Sequence, residues 1–272
     1  MEKGGADQSR IHLGGTARSP EDAAALFEMG LQFAEIPIPH PERFASSISE
    51  YRRLMERSDR YYLCHGPREG DPNDCRSLEN IYLPKLVKIL AIMPELKMRI
   101  LTIHFWLDPR YVKPDVIVYK VGFLKRVLRT AGDSGIRICL ENMSENATHL
   151  SPVFEALPTL NMTLDLGHAQ LLTTQNTSFG FMQSFPERIR HIHLHDNRGG
   201  NTPADDLHLP VGKGIIDFDG IFKNLACIRY HRTITLELKP LEIQGNLAAV
   251  KERLAHAGLT LQDTDEGVIH DD

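Results

Sequence analysis

Six successive short apolar runs in this chain each end on a histidine, aspartate or glutamate. They are His65 in CHGP, His104 in TIHFW, Glu141 in ICLEN, Asp165 in TLDLGH, His193 in HIHLHDN and Glu237 in TLELKP. A carboxylate taken out of water needs a counter-charge or several hydrogen bonds, and no Lys or Arg closes the same runs. A divalent cation would supply the charge. Mixed imidazole and carboxylate donors suit Zn2+, Mn2+, Fe2+ or Co2+ better than Ca2+. Two loops extend the set. Asp165 and His168 lie three apart in DLGH, where Gly167 is expected to permit a sharp turn that aims both inward. The run DDLHLPVGKG carries Asp206 and His208 ahead of Gly212 and Gly214, a pair expected to let backbone approach a ligand closely. Lys213 between those glycines and Arg198 after HLHDN are cations suited to a small anion or phosphate.

For these side chains to meet, the apolar runs must be neighbouring strands. Strand-like runs fall at residues 11–14, 33–38, 61–65, 99–105, 136–141, 161–165, 191–195 and 233–238. Helical patterns lie between them at 19–29, 41–57, 78–92, 114–131, 152–157, 218–225 and 247–257, several opening on Pro or Ser. Alternating strands and helices predict a parallel sheet. Eight units, with no glycine-rich dinucleotide turn after the first, predict one (β/α)8 TIM barrel, whose chemistry sits at the carboxyl ends of its strands. Residues 1–258 form the barrel in this reading, and 259–272 an acidic C-terminal tail. Because strand side chains alternate with period two, His191, His193 and His195 share a face and cannot all bind one ion. His193 is the chosen ligand, with His191 deeper in the barrel and His195 above it.

The ordinary readings carry weight as well. A structural ion-pair network among Glu141, Asp165, His193 and Glu237 is the competing account of those four. His12, His40, His149, His231, His256 and His270 receive no role, and Trp106, Tyr61 and Tyr62 fit packing as readily as substrate stacking. The chain's 272 residues, 42% apolar and 25% charged, exclude a disordered or disulfide-scaffold protein and match the size of one barrel. A net charge of −5 gives no global attraction for nucleic acid or an anionic membrane. Cys64, Cys75, Cys139 and Cys227 lack CxxC spacing and are expected to be reduced thiols in a cytoplasmic protein. No stretch is apolar enough for a membrane span. The residues do not set an oligomeric state.

ICLEN, LDLGH, HIHLHDN, the D-x-H-x-x-x-G-x-G run from Asp206 and TLELKP, in this order, resemble the xylose-isomerase-like TIM-barrel superfamily. That superfamily holds sugar and sugar-phosphate isomerases and epimerases together with the endonuclease IV type of abasic-site nuclease (AP endonuclease family 2). The epimerase pattern implies one divalent metal on Glu141, Asp165, His193 and Glu237, with His168 and Arg198 touching the sugar. The nuclease pattern implies three zinc ions on those four ligands together with His65, His104, His168, Asp206 and His208. Both sets are complete. Departures favour the epimerase side: Gly66, Pro67 and Arg68 stand where nucleases carry a stacking aromatic, HLHDN replaces HLND, and DLGH replaces DTCH.

The expected activity is therefore a metal-dependent sugar or sugar-phosphate isomerase or epimerase using one to three ions, Zn2+ or Mn2+. Glu141 and Glu237 would pass a proton through an enediolate-like intermediate. His168, Arg198 and Lys213 would hold hydroxyls or a phosphate. The alternative is a multinuclear zinc phosphodiesterase acting on abasic-site DNA, and a barrel that only binds a small ligand is a third reading.

Overall fold

The computed structural model describes residues 10–262. Eight parallel strands close into a barrel in sequence order: β1 His12–Thr16, β2 Phe33–Pro37, β3 Tyr61–His65, β4 Ile100–His104, β5 Arg137–Glu141, β6 Asn161–Asp165, β7 Ile189–Leu194 and β8 Thr233–Leu236. β1 pairs with β8 through His12 opposite Thr233, which closes the sheet. Around it run α1 Pro20–Glu28, α2 Pro41–Phe44, α3 Ile48–Glu56, α4 Cys75–Ser77, α5 Leu83–Ile92, α6 Pro114–Asp133, α7 Ala147–Ala156, α8 Ser178–Ser184, α9 Phe218–Cys227 and α10 Pro240–His256. The strands fall where period and composition place them; the helices differ more.

Leu101, Ile103, Ile138, Leu140, Met162, Leu164, Ile192, Leu194, Ile234 and Leu236 belong to the buried apolar cluster shared with the helices. Alternate residues of the same strands are polar and also buried, namely Thr102, Glu141, Thr163, Asp165, His191, His193 and Thr235, as is Glu35 of β2. Period two thus separates an apolar exterior from a polar interior. α6 shows how a helix joins this core. Pro114 opens it, Asp115 favours its N-terminus, and Val116, Phe123, Leu124, Val127 and Ala131 make its buried stripe. Lys120 interrupts the stripe. Its ammonium is fully buried and donates to Glu69 Oε2 and the Trp106 carbonyl, both at 2.7 Å, which ties down the loops after β3 and β4.

The helix expected at 41–57 is divided into α2 and α3 by a 3-10 turn at Ala45–Ser47, and that expected at 78–92 is preceded by α4 and is a π-turn up to Tyr82 before α5 begins; α7, α8 and α10 depart as well. α7 starts at Ala147, because Asn146 and His149 form a reciprocal capping box, and Pro152 lies inside it. α10 starts at Pro240, with Glu242 accepting from the Lys239 N–H, ahead of the apolar pattern that begins at Leu247. α8 has no counterpart among the expected helices. Leu259 is buried and Leu261 bridges to Ile11, so residues 259–262 pack onto the barrel, while the remainder of the acidic tail and His270 lie outside the described residues. All four cysteines are free, Cys64 and Cys139 being buried. No helix among the described residues is long and apolar enough to cross a membrane.

Candidate metal centre

Four donor atoms converge at the carboxyl end of the barrel. His193 Nδ1 lies 3.4 Å from Glu141 Oε1, 3.6 Å from Asp165 Oδ2 and 3.3 Å from Glu237 Oε1. The register explains the convergence. Asp165 sits opposite His193 because a shift between Met162 and Thr163 sets Thr163 against His191. Glu141 ends β5 opposite His104, and Glu237 follows β8 directly. His193 Nδ1 and Glu141 Oε1 are buried without a hydrogen-bond partner among the described residues. Orphaned buried groups of this kind cost about 1–3 kcal/mol each. Donors around a tetrahedral ion with bonds of about 2.1 Å stand roughly 3.4 Å apart, which the three separations from His193 Nδ1 match, and Asp165, His193 and Glu237 offer atoms that all lie within 4.8 Å of one another. No Lys or Arg forms a salt bridge with Glu141, Asp165, Asp206 or Glu237 among the described residues; histidines are their ion-pair partners.

Two imidazole groups flank this cage. His65 Nε2 and His104 Nε2 lie 3.2 Å and 2.9 Å from Glu141 Oε2. On the other side, His168 Nε2 and His208 Nε2 lie 3.3 Å and 3.2 Å from Asp206 Oδ2, and the buried Asp206 Oδ1 has no hydrogen-bond partner among the described residues. His195 Nε2 is 3.1 Å from Asp165 Oδ1, and its ring stacks on His208 at 4.0 Å. His168, His195, Asp206 and His208 could share one ion, as could His65, Glu141 and His193. The structure therefore brings together all nine residues that the sequence set out as ligands. His195, read as lying above the site, joins them.

Proximity of opposite charges shifts these groups. Burial opposes ionisation of Glu141, but His104 and His193 outweigh it and hold the carboxyl well below its usual range. Burial likewise opposes a charged His193, yet Glu237, Glu35 and Glu141 raise it well above the usual imidazole value. His168 rises for the same reason, through Asp165. At His208 the Asp206 carboxylate overcomes burial and lifts the pKa to about 9. Burial prevails at His104, which falls.

The glycines act differently from the sequence expectation. Gly167 has ordinary helical backbone (φ −74°), so it is not needed for a sharp turn; a Cβ there would lie 1.9 Å from His195 Cε1, so glycine makes room for that ring. The Gly212 and Gly214 N–H groups donate to Asp196 Oδ2 at 2.9 Å and 2.7 Å; a Cβ at Gly214 would lie 2.1 Å from the Asn197 carbonyl oxygen, whereas Gly212 is favoured by its left-handed backbone at φ 87°. Arg198 and Lys213 are exposed, and neither forms a salt bridge with the cluster.

Sequence reasoning missed Glu35. Its Oε2 lies 3.0 Å from Nε2 of both His191 and His193. The signal was a lone charge inside an apolar strand, FAEIP. Trp106 donates through Nε1 to Ser144 and stacks on Tyr111, while Tyr61 stacks on Phe33 and Tyr62 donates to the Tyr51 carbonyl, all packing contacts.

A family model described as xylose isomerase-like TIM barrel matches residues 23–257. The chain is 33% identical over 125 residues to the uncharacterized protein MJ1311 of Methanocaldococcus jannaschii, a stretch covering 43% of this chain and 41% of that protein. The match thus spans about two fifths of that relative's length. Among solved structures, a D-tagatose 3-epimerase-like protein is similar at a TM-score of 0.76 and 21% identity, over 91% of this chain and 98% of that one. The IOLI protein with a binding zinc atom is similar at 0.71 and 13%, over 91% and 96%. At these identities the likeness is one of fold.

Proposed function

Since the chain belongs to the xylose isomerase-like TIM barrel family, we propose that it is a divalent-metal-dependent isomerase or epimerase of sugars or sugar phosphates. The observation that carries this reading is the cage of Glu141, Asp165, His193 and Glu237, in which carboxylates from β5 and the end of β8 abut the same imidazole nitrogen. The similarity to a structure named as D-tagatose 3-epimerase-like supports the substrate class. A bound Zn2+ or Mn2+ would supply Lewis-acid polarisation of a hydroxy-carbonyl substrate. Glu237, 13% exposed, reaches the mouth and takes or returns the proton on one face of the substrate carbon. Glu141 serves the other face, its second oxygen held by His65 and His104. His168 offers a ring N–H to substrate hydroxyls, and Arg198 and Lys213 supply charge for a phosphate. The free thiols fit a reducing cytoplasm.

The test is exchange of a substrate carbon-bound proton with D2O, using D-tagatose and its phosphate esters with zinc- or manganese-loaded protein. Glu141→Gln and Glu237→Gln should each lower exchange by at least about 100-fold with the barrel still folded. Exchange retained in both variants removes the proposal.

A second reading rests on the flanking imidazole groups, which together with the cage match a multinuclear zinc phosphodiesterase acting on abasic-site DNA. Zinc content separates the two. Elemental analysis near three ions per chain, with cleavage of an abasic-site duplex, would establish the nuclease; near one ion, with proton exchange, would establish the isomerase.

A further inference from the structure

We propose that Glu35 is a positioning residue for the candidate cation site: it holds the His193 ring with Nε2 protonated, so that Nδ1 presents its lone pair to the cage. The inference rests on the metal-dependent reading above. Glu35 lies in the middle of β2, paired with Thr16 on one side and Leu63 on the other, and is fully buried inside the barrel. An ionised carboxylate in such a place carries a large desolvation penalty, and an apolar residue of similar volume would commonly serve stability as well or better. No Lys or Arg forms a salt bridge with it among the described residues; its partners are His191 and His193, each 3.0 Å from the same oxygen.

The two rings differ in what their other nitrogens meet. His191 Nδ1 faces the Thr233 hydroxyl at 2.7 Å, and its Nε2 also lies 3.0 Å from the Thr235 hydroxyl. His191 is thus anchored wholly within the barrel and braces Glu35 from β7 and β8. His193 faces Glu35 with one nitrogen and three carboxylates with the other. A neutral imidazole has one N–H and one lone pair, and the hydrogen bond at one nitrogen fixes which is which. An acceptor beneath Nε2 therefore turns Nδ1 into the donor atom for a cation. A carboxylate acceptor also strengthens the imidazole as a ligand. Without it, a buried Nε2–H would lose its partner, and the ring would be free to choose the other tautomer.

The experiment compares zinc affinity of metal-stripped wild-type protein, Glu35→Leu and Glu35→Gln by competition with a chromogenic chelator. The Leu variant keeps volume and removes the acceptor, and should bind zinc about 10–100-fold more weakly. Gln retains an amide oxygen that accepts one hydrogen bond, and should lose less than about tenfold. Long-range 1H–15N spectra of zinc-loaded wild type should show His193 protonated at Nε2 and bare at Nδ1, a readout available even if Glu35→Leu does not fold. The opposite tautomer, or wild-type affinity in Glu35→Leu beside tight binding by the wild type, would overturn this role alone. Wild-type protein that takes up no zinc would overturn the metal reading and this role with it.

Discussion

His193 shows how much a single ring must satisfy: one nitrogen faces three carboxylates, the other faces Glu35, and the flanking strands admit no cationic side chain to relieve the charge. Its neighbour His195 adds a steric demand on the next loop. Replacing Gly167 with Ala would place a methyl group 1.9 Å from His195 Cε1, so the ring must leave its 3.1 Å contact with Asp165 and its stack on His208. Overpacking of this kind costs about 1–3 kcal/mol. Urea unfolding of metal-free Gly167→Ala should show that loss, and unchanged stability would mean the ring has another place to go. The ligand types at strand ends were legible in the sequence because each falls at or next to the carboxyl end of a strand-like run. Glu35 was not, because it lies within its run, where the linear pattern gives no sign that two imidazoles wait on β7.

Among the elements, the loop after β7 depends on one buried carboxylate. Asp196 accepts from the N–H groups of Asn197, Gly212, Gly214 and Ile216 at 2.7–3.3 Å, folding the segment that carries Asp206 and His208 back onto the barrel. His208 sits in left-handed backbone at φ 45°, a conformation that surrounding structure must enforce. Asp196→Ala should therefore destabilise the protein by about 2–4 kcal/mol and weaken any zinc held by His168, Asp206 and His208. Arg198→Ala, an exposed change on the same loop, should stay within about 0.5 kcal/mol in the same denaturation experiment. Helix starts were the least legible elements. α7 and α10 begin with polar turns whose capping bonds, at Asn146 and Glu242, do not show in apolar periodicity.

On the scale of the whole molecule, the barrel gathers negative carboxylates and proton-holding imidazoles into one mouth, and its stability and metal binding should respond oppositely to pH. His208 has its pKa raised to about 9 in the fold, against about 6.5 in an unfolded chain. Its contribution in the metal-free protein is fully present below about pH 6.5 and is lost as the pH rises towards 9. A cation must displace the same protons, as well as those on His168 and His193, so zinc affinity should increase over that interval. The Tm of metal-free protein should fall between pH 6.5 and 9 while the increment added by zinc grows; a zinc increment independent of pH would show that these imidazoles are not displaced. Apolar periodicity and residue type by themselves determined eight strands, seven helical segments between and after them, and the acids and imidazoles near the ends of six strands, because both signals are local. Only the closed barrel decided which nitrogen of His193 faces the carboxylates, that Gly167 yields space to His195, and that Gly214 yields space to Asp196 and Asn197. Those outcomes depend on register and on contacts between strands far apart in the chain, which no local run of residues encodes.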